Sequence, residues 1–219
     1  MITPEEDARA ELRARQGAGA RYDAPAAPAA QLAWARRGTA YFARLLNNLS
    51  YAQLQEPSRI PGWSRAHLVA HISYNARAIA RLCETVRMGE DLVFYPSRDE
   101  REAEIQLAAT LPDRALRHLF EHAVVHLNVE WRDLSNQHWT MSGTGLDGNS
   151  LALAATPWIR ARELWVHALD LNAGGRIKDF PSDFRDQLAL DLPNMDRLTS
   201  GCRPLGSETP ADLPEDWPY

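Results

Sequence analysis

Glu163 and His167 stand four residues apart in the run Arg-Ala-Arg-Glu-Leu-Trp-Val-His-Ala-Leu-Asp-Leu, 160–171. On a helix that spacing puts both side chains on one face, with Cβ atoms roughly 5–6 Å apart. A carboxylate and an imidazole so placed make half of a metal site. A third donor from another helix would give three protein ligands and one open coordination position, the arrangement that catalytic zinc uses. His71, at the end of Pro-Gly-Trp-Ser-Arg-Ala-His-Leu-Val-Ala-His (61–71), is the candidate third donor. It shares an inward-leaning stripe with Val69, Ile72, Ala76 and Ile79. His67 falls three residues after Ser64, at the start of the same helix, where capping or solvent contact competes for its ring.

Other readings of these residues stand beside this one. Arg160 and Arg162 flank Glu163, so the same helix face could be a salt-bridged surface. His118, His122 and His126 recur at i, i+4 and i+8 with Glu121 adjacent, and two of them could chelate a metal. Their apolar neighbours Leu119, Ala123 and Val125 also suit partly buried histidines held by hydrogen bonds. Spacing alone does not rank this stripe below the first cluster. Cysteine chemistry contributes little. The chain has two cysteines, Cys83 on an apolar helical stretch and Cys202 in a loop beside Arg203. Two distant cysteines make neither a disulfide framework nor a Cys-rich zinc site.

The elements that must position these residues are helical. Apolar residues recur at helical spacing from Ala30 to Leu49. Ser64 is a good N-cap for a helix over 65–88 that Gly89 ends. Ser97 caps a run over 98–111, Pro112-Asp113 opens another through Leu134, and a last helix spans 153–171. Residues 136–149 read as a loop or short β excursion around Trp139 and Met141. No strong period-two pattern precedes Gly174, and long amphipathic helices with connecting loops predict an all-α four-helix bundle. The expected layout is an N-terminal helical arm at 1–29, the metal-binding bundle at 30–175, and a short, partly irregular C-terminal extension at 176–219 with one short helix over 182–198. Trp63, Trp158 and Trp165 are expected to pack in the core or against loops.

With 219 residues, 45% of them hydrophobic, the chain can bury a sizeable core. Its net charge of −5 gives no electrostatic basis for nucleic-acid or membrane-surface binding. No apolar run reaches the roughly 20 residues of a membrane span, and residues 1–31 lack the apolar core of a secretory signal. A cytoplasmic location is the expectation, and the arm could pack on a second copy in a homo-oligomer.

Three runs together resemble the mycothiol-dependent maleylpyruvate isomerase family, part of the DinB-like metal-binding four-helix bundles. They are Ile-Pro-Gly-Trp-Ser-Arg-Ala-His-Leu-Val-Ala-His-Ile-Ser-Tyr-Asn-Ala (60–76), Tyr-Pro-Ser (95–97) followed by Arg101 and Glu104-Ile105, and Pro-Trp-Ile-Arg-Ala-Arg-Glu-Leu-Trp-Val-His-Ala-Leu-Asp-Leu (157–171). The resemblance implies a Zn2+ held by His71, Glu163 and His167, and so separates this cluster from the stripe at 118–126. It implies a low-molecular-weight thiol, mycothiol or glutathione, and the cis–trans isomerisation of maleylpyruvate to fumarylpyruvate in gentisate catabolism. A thiolate adds to the conjugated alkene, the resulting single bond rotates, and the thiol leaves. Arg101 is the expected catalytic cation for the dicarboxylate substrate. Arg98 could serve likewise, Arg203 could close over the substrate, and Asn75 either orients a ligand or is a polar helix-face residue. The tail after Leu171 is shorter than the family's usual C-terminal α/β domain, and the N-terminal arm is longer. Two alternatives use the same bundle: a zinc-dependent S-transferase joining a thiol to electrophiles, and a non-enzymatic zinc-binding regulatory module.

Overall fold

The computed structural model describes residues 22–90, 98–145 and 149–191, together with positions 3, 6, 7 and 10. Most of the arm expected at 1–29, Arg203, Cys202 and the part of the tail helix expected beyond Asp191 therefore lie outside the described residues. The architecture is helical. Helices α1 (Ala29–Asn47), α3 (Arg65–Met88), α5 (Asp113–Asp133) and α6 (Thr156–Asp170) form the bundle. A one-turn helix α2 (Tyr51–Leu54), a flanking helix α4 (Arg98–Ala109) and a tail helix α7 (Ser182–Asp191) complete it. Helix α1 runs along α6, α5 runs along α3, and α3 touches both α6 and α4. None of the described helices is long and apolar enough to cross a membrane.

Local chemistry sets the ends of the site-bearing helix α3. The Ser64 side chain accepts from the His67 backbone N–H, and the His67 ring accepts from the Ser64 backbone N–H, a reciprocal capping box. Gly89 closes the helix in the left-handed region at φ 70°, where a residue with a Cβ is strained. In α6, Pro157 sits in the first turn, where its missing N–H costs nothing. Residues 153–155, read from sequence as the start of this helix, form a separate 3-10 turn.

The α1–α6 contact depends on a small residue. A Cβ on Gly38 would stand 2.9 Å from Trp165 Nε1 and 3.1 Å from Leu164 Cβ. The indole N–H of Trp165 donates to the Trp34 carbonyl at 3.0 Å, which fixes the ring against this gap. Gly38→Val is expected to lower stability by about 1–3 kcal/mol through overpacking, read as a fall in thermal midpoint.

Helix α5 corrects the histidine reading. Its buried stripe is Leu116, Phe120, Ala123, Leu127, Glu130 and Trp131. His118 and His122 follow Leu116 and Phe120 by two residues, roughly 200° round a helix of 3.6 residues per turn. They accordingly face outward, with the His118 side chain 60% exposed, and His126 sits on the flank at 41%. The expected partial burial holds for His126 alone. His118 and His126 lie 3.9 Å and 3.7 Å from Glu121 and Glu130.

The β excursion is a small antiparallel hairpin, β1 (Ser142–Thr144) with β2 (Ser150–Ala152), and Gly143 packs directly on Leu82 of α3. Trp139 is buried in a 3-10 turn just before it. Past α6, Phe180 and Phe184 join an aromatic cluster with Trp34, Trp158 and Trp165. Trp158 donates to Asp191 at 2.7 Å and Trp34 to Asp183 at 2.9 Å, which ties α7 onto the bundle.

Candidate metal centre

Positions 160, 163, 167 and 170 fall on one stripe of α6, and that stripe faces α3. His71 is fully buried, Glu163 is 4% exposed, and the His167 side chain is 12% exposed. His71 Nε2 lies 3.0 Å and His167 Nε2 3.4 Å from the same oxygen, Glu163 Oε2. One donor atom from each of the three lies within 4.8 Å of the others, and among the described residues no other His, Cys, Asp or Glu group does this. The two imidazoles stand nearly perpendicular, 88°, with ring centroids 5.0 Å apart.

The surface reading of Glu163 fails on direction. Arg160 turns away to the Ile72 carbonyl and Asn75, and Arg162 reaches Asp191 at 3.5 Å. Glu163 is left to the two histidines. His67, the competitor for His71, spends both ring nitrogens elsewhere: Nδ1 accepts from the Ser64 N–H at 3.3 Å, and Nε2 donates to Gln106 at 2.9 Å.

The groups around the triad fix its proton states. Arg101, from α4, places Nη2 2.9 Å from His71 Nδ1. A guanidinium only donates, so Nδ1 is the acceptor and the neutral ring carries its proton on Nε2, aimed at Glu163. Burial, with the nearby positive charges of His167 and Arg101, outweighs the pull of Glu163 and holds His71 down at about 4. His167 is the reverse. Burial opposes its charge, but hydrogen bonds to Asp170 (2.8 Å) and Glu163 outweigh that and raise it to about 9. Burial also opposes ionisation of Glu163, yet the two histidines hold its carboxyl well below the ordinary range. The triad at neutral pH is therefore a carboxylate between a neutral and a protonated imidazole.

The donor chemistry fits a zinc-like cation. Two imidazole nitrogens and one carboxylate oxygen make a donor set that zinc accepts. The Asp170 carboxylate on His167 Nδ1 is the outer hydrogen bond that orients a ligating histidine and leaves Nε2 for the metal. Sequence reasoning missed Asp170 in this role, although its i+3 spacing from His167 was the available signal. It also missed how closely Trp63 approaches the site, with its ring centroid 5.4 Å from that of His71.

The other expected site residues divide. Arg101 is beside the triad. Asn75, on α3 one turn past His71, has its side-chain oxygen on Arg160. Arg98 opens α4, but its side chain lies outside the described residues. A surface groove of about 450 Å³ lined by Tyr22, Asp23, Arg36, Val125, Asn128, Val129 and Arg132 shares no residue with the triad.

The triad-bearing bundle has known relatives. The model of the mycothiol maleylpyruvate isomerase N-terminal domain matches residues 35–172, which include α3, α6 and all three triad residues. A crystal structure of the mycothiol-dependent maleylpyruvate isomerase superposes with a TM-score of 0.71 at 37% identity, covering 74% of this chain and 68% of that one. A histidine-to-alanine variant of the mycothiol-dependent maleylpyruvate isomerase gives a TM-score of 0.71 at 36% identity, over the same shares of the two chains. No curated protein matches the chain. The described architecture is thus the all-α, DinB-like bundle of these neighbours. Because the matched segment takes in most of the bundle and the whole triad, the chain belongs to the mycothiol maleylpyruvate isomerase N-terminal domain family.

Proposed function

We propose that this protein is a zinc- and mycothiol-dependent maleylpyruvate isomerase, with the metal held by His71, Glu163 and His167. The observation that carries this reading is the buried His–Glu–His triad at the α3–α6 contact of a chain in this family. His71, Glu163 and His167 would hold zinc through three protein ligands, and zinc so bound would supply an open position and favour the thiolate form of an incoming thiol. The thiol supplies a nucleophile whose reversible addition turns the substrate's double bond into a rotatable single bond.

The chain's own residues have separate tasks. Asp170 holds the His167 ring with Nε2 toward Glu163. Trp63, 6% exposed, packs against the His71 ring and is part of its apolar surroundings. Arg101 is the cation for a substrate carboxylate, which its planar fork can take bidentately. Its present partner is His71 Nδ1. Were His71 Nε2 given to a metal, the ring proton would sit on Nδ1, which could then no longer accept from Arg101. The guanidinium would then be available to the substrate.

A carboxylate clamp beside the triad favours a dicarboxylate over a neutral electrophile, and so favours isomerase over general S-transferase chemistry. The test is to supply mycothiol with maleylpyruvate, and separately with a neutral bimane. Thiol-dependent isomerisation with little bimane conjugation supports the proposal. Efficient conjugation without isomerisation assigns an S-transferase instead.

The proton states give a further expected result. His167 is doubly protonated at neutral pH, being raised to about 9, whereas His71, at about 4, is already neutral and need only shift its one proton from Nε2 to Nδ1. Ligation of His167 must release its proton, so zinc uptake at pH 7 should liberate about one proton per metal. Apparent affinity should rise about tenfold per pH unit from 7 toward 9 and then level off. Calorimetry in buffers of different ionisation enthalpy measures both.

A further inference from the structure

We infer that Arg160 and Asn75 form a positioning strut that sets His71 against Glu163 and so tunes the affinity and symmetry of the metal centre. The inference rests on the metal reading above and extends it to two residues that touch none of the three donor atoms.

Arg160 lies one turn before Glu163 on α6 and is 1% exposed. Its Nη1 donates to the Ile72 carbonyl at 2.7 Å and to Asn75 Oδ1 at 2.8 Å. Ile72 adjoins His71 in the chain, and Asn75 is four residues past it, on the next turn of α3. One guanidinium nitrogen therefore bridges the helix that carries two donors to the segment of α3 that carries the third. The bridge spans the contact where the His71–Glu163 distance is set.

Arg160 has no carboxylate within ion-pair distance among the described residues. Its Nη2 finds no partner there either, and burial lowers the guanidinium to about 9 despite the nearby Glu163 charge. Burying a cation with so little compensation costs stability that an apolar side chain would not cost. Stability alone does not account for it, whereas geometry does. A two-point hydrogen-bonded tie between helices resists sliding and rotation in a way that apolar packing does not. Supporting hydrogen bonds around metal ligands act in this manner and change affinity by roughly 10–100-fold when removed.

Arg160→Ala risks unfolding the bundle, so the decisive variants are Asn75→Ala, which removes one leg of the tie, and Asn75→Asp, which keeps the acceptor. Zinc affinity is read by chelator competition, and site symmetry by the visible spectrum of the Co2+-loaded protein. The metal-free protein supplies a third readout, the downfield proton resonance of His71 Nε2–H bonded to Glu163. Asn75→Ala is expected to weaken zinc about 10–100-fold, to alter the cobalt bands and to shift the His71 resonance. Asn75→Asp is expected to restore all three. Wild-type zinc affinity, cobalt spectrum and His71 resonance in Asn75→Ala would overturn the strut and leave the metal reading intact, even if the variant melted at a lower temperature. A wild-type protein that takes up no metal would overturn the metal reading and the metal-tuning part of this inference. The His71 resonance would then decide the positioning part by itself.

Discussion

Replacing His167 with alanine is expected to strip the metal from the protein and to lower thiol-dependent maleylpyruvate turnover by more than about a hundredfold, beyond what outer hydrogen bonds to metal ligands contribute. The side chain is one of three donors packed within 4.8 Å, and the others cannot close the set without it. Asp170, which orients the ring, loses its partner as well. Metal analysis after gel filtration and progress curves with added mycothiol read the two effects, and circular dichroism checks that the helices persist. The variant also removes the imidazole whose charge, although opposed by burial, pairs with Glu163. The buried carboxylate then keeps only His71 as a hydrogen-bond partner, and a lower thermal midpoint should accompany the loss of metal. Stoichiometric zinc with full turnover would sink the assignment of the site.

Arg101→Ala is the second large effect and separates substrate binding from metal binding. The guanidinium stands 2.9 Å from His71 Nδ1 but belongs to α4 and supplies no metal donor. Zinc content should stay at the wild-type level. Losing a charged hydrogen bond to a substrate carboxylate costs about 2–3 kcal/mol, or roughly 30–150-fold in kcat/KM. A lysine at this position keeps the charge and loses the fork, so Arg101→Lys should recover part of the loss. Any residual conjugation of mycothiol to a neutral electrophile should be indifferent to both changes. Equal losses on charged and neutral substrates would mean that Arg101 acts through His71 rather than on the carboxylate.

Much of the helical frame was legible because its signals are local. Ser64 with His67 at one end and Gly89 at the other bound α3 at the residues where the structure ends it. The hairpin at 142–152 was only dimly visible, because strands of three residues are too short to display a period of two. The direction of a helix face was harder. Arg160, Arg162 and Glu163 also allowed a salt-bridged surface, because sequence does not show which side of α6 meets α3. The histidine stripe on α5 failed for the same reason: of the apolar neighbours Leu119, Ala123 and Val125 only Ala123 is fully buried, Val125 is exposed, and the core side is set by Leu116 and Phe120. The triad was separable from that stripe only through the family resemblance of 60–76 and 157–171. The Arg160–Asn75 tie was beyond sequence reasoning, since its partners are 85 residues apart and neither carries a spacing signal.

The most direct test of a metal- and thiol-dependent site is a two-by-two assay of maleylpyruvate isomerisation: chelator-stripped against zinc-reconstituted protein, each with and without mycothiol. Conversion to the trans product should be fast only where zinc and mycothiol are both present, and restored when the stripped protein is given zinc. Isomerisation at the same rate in stripped protein, or without any thiol, would contradict the account.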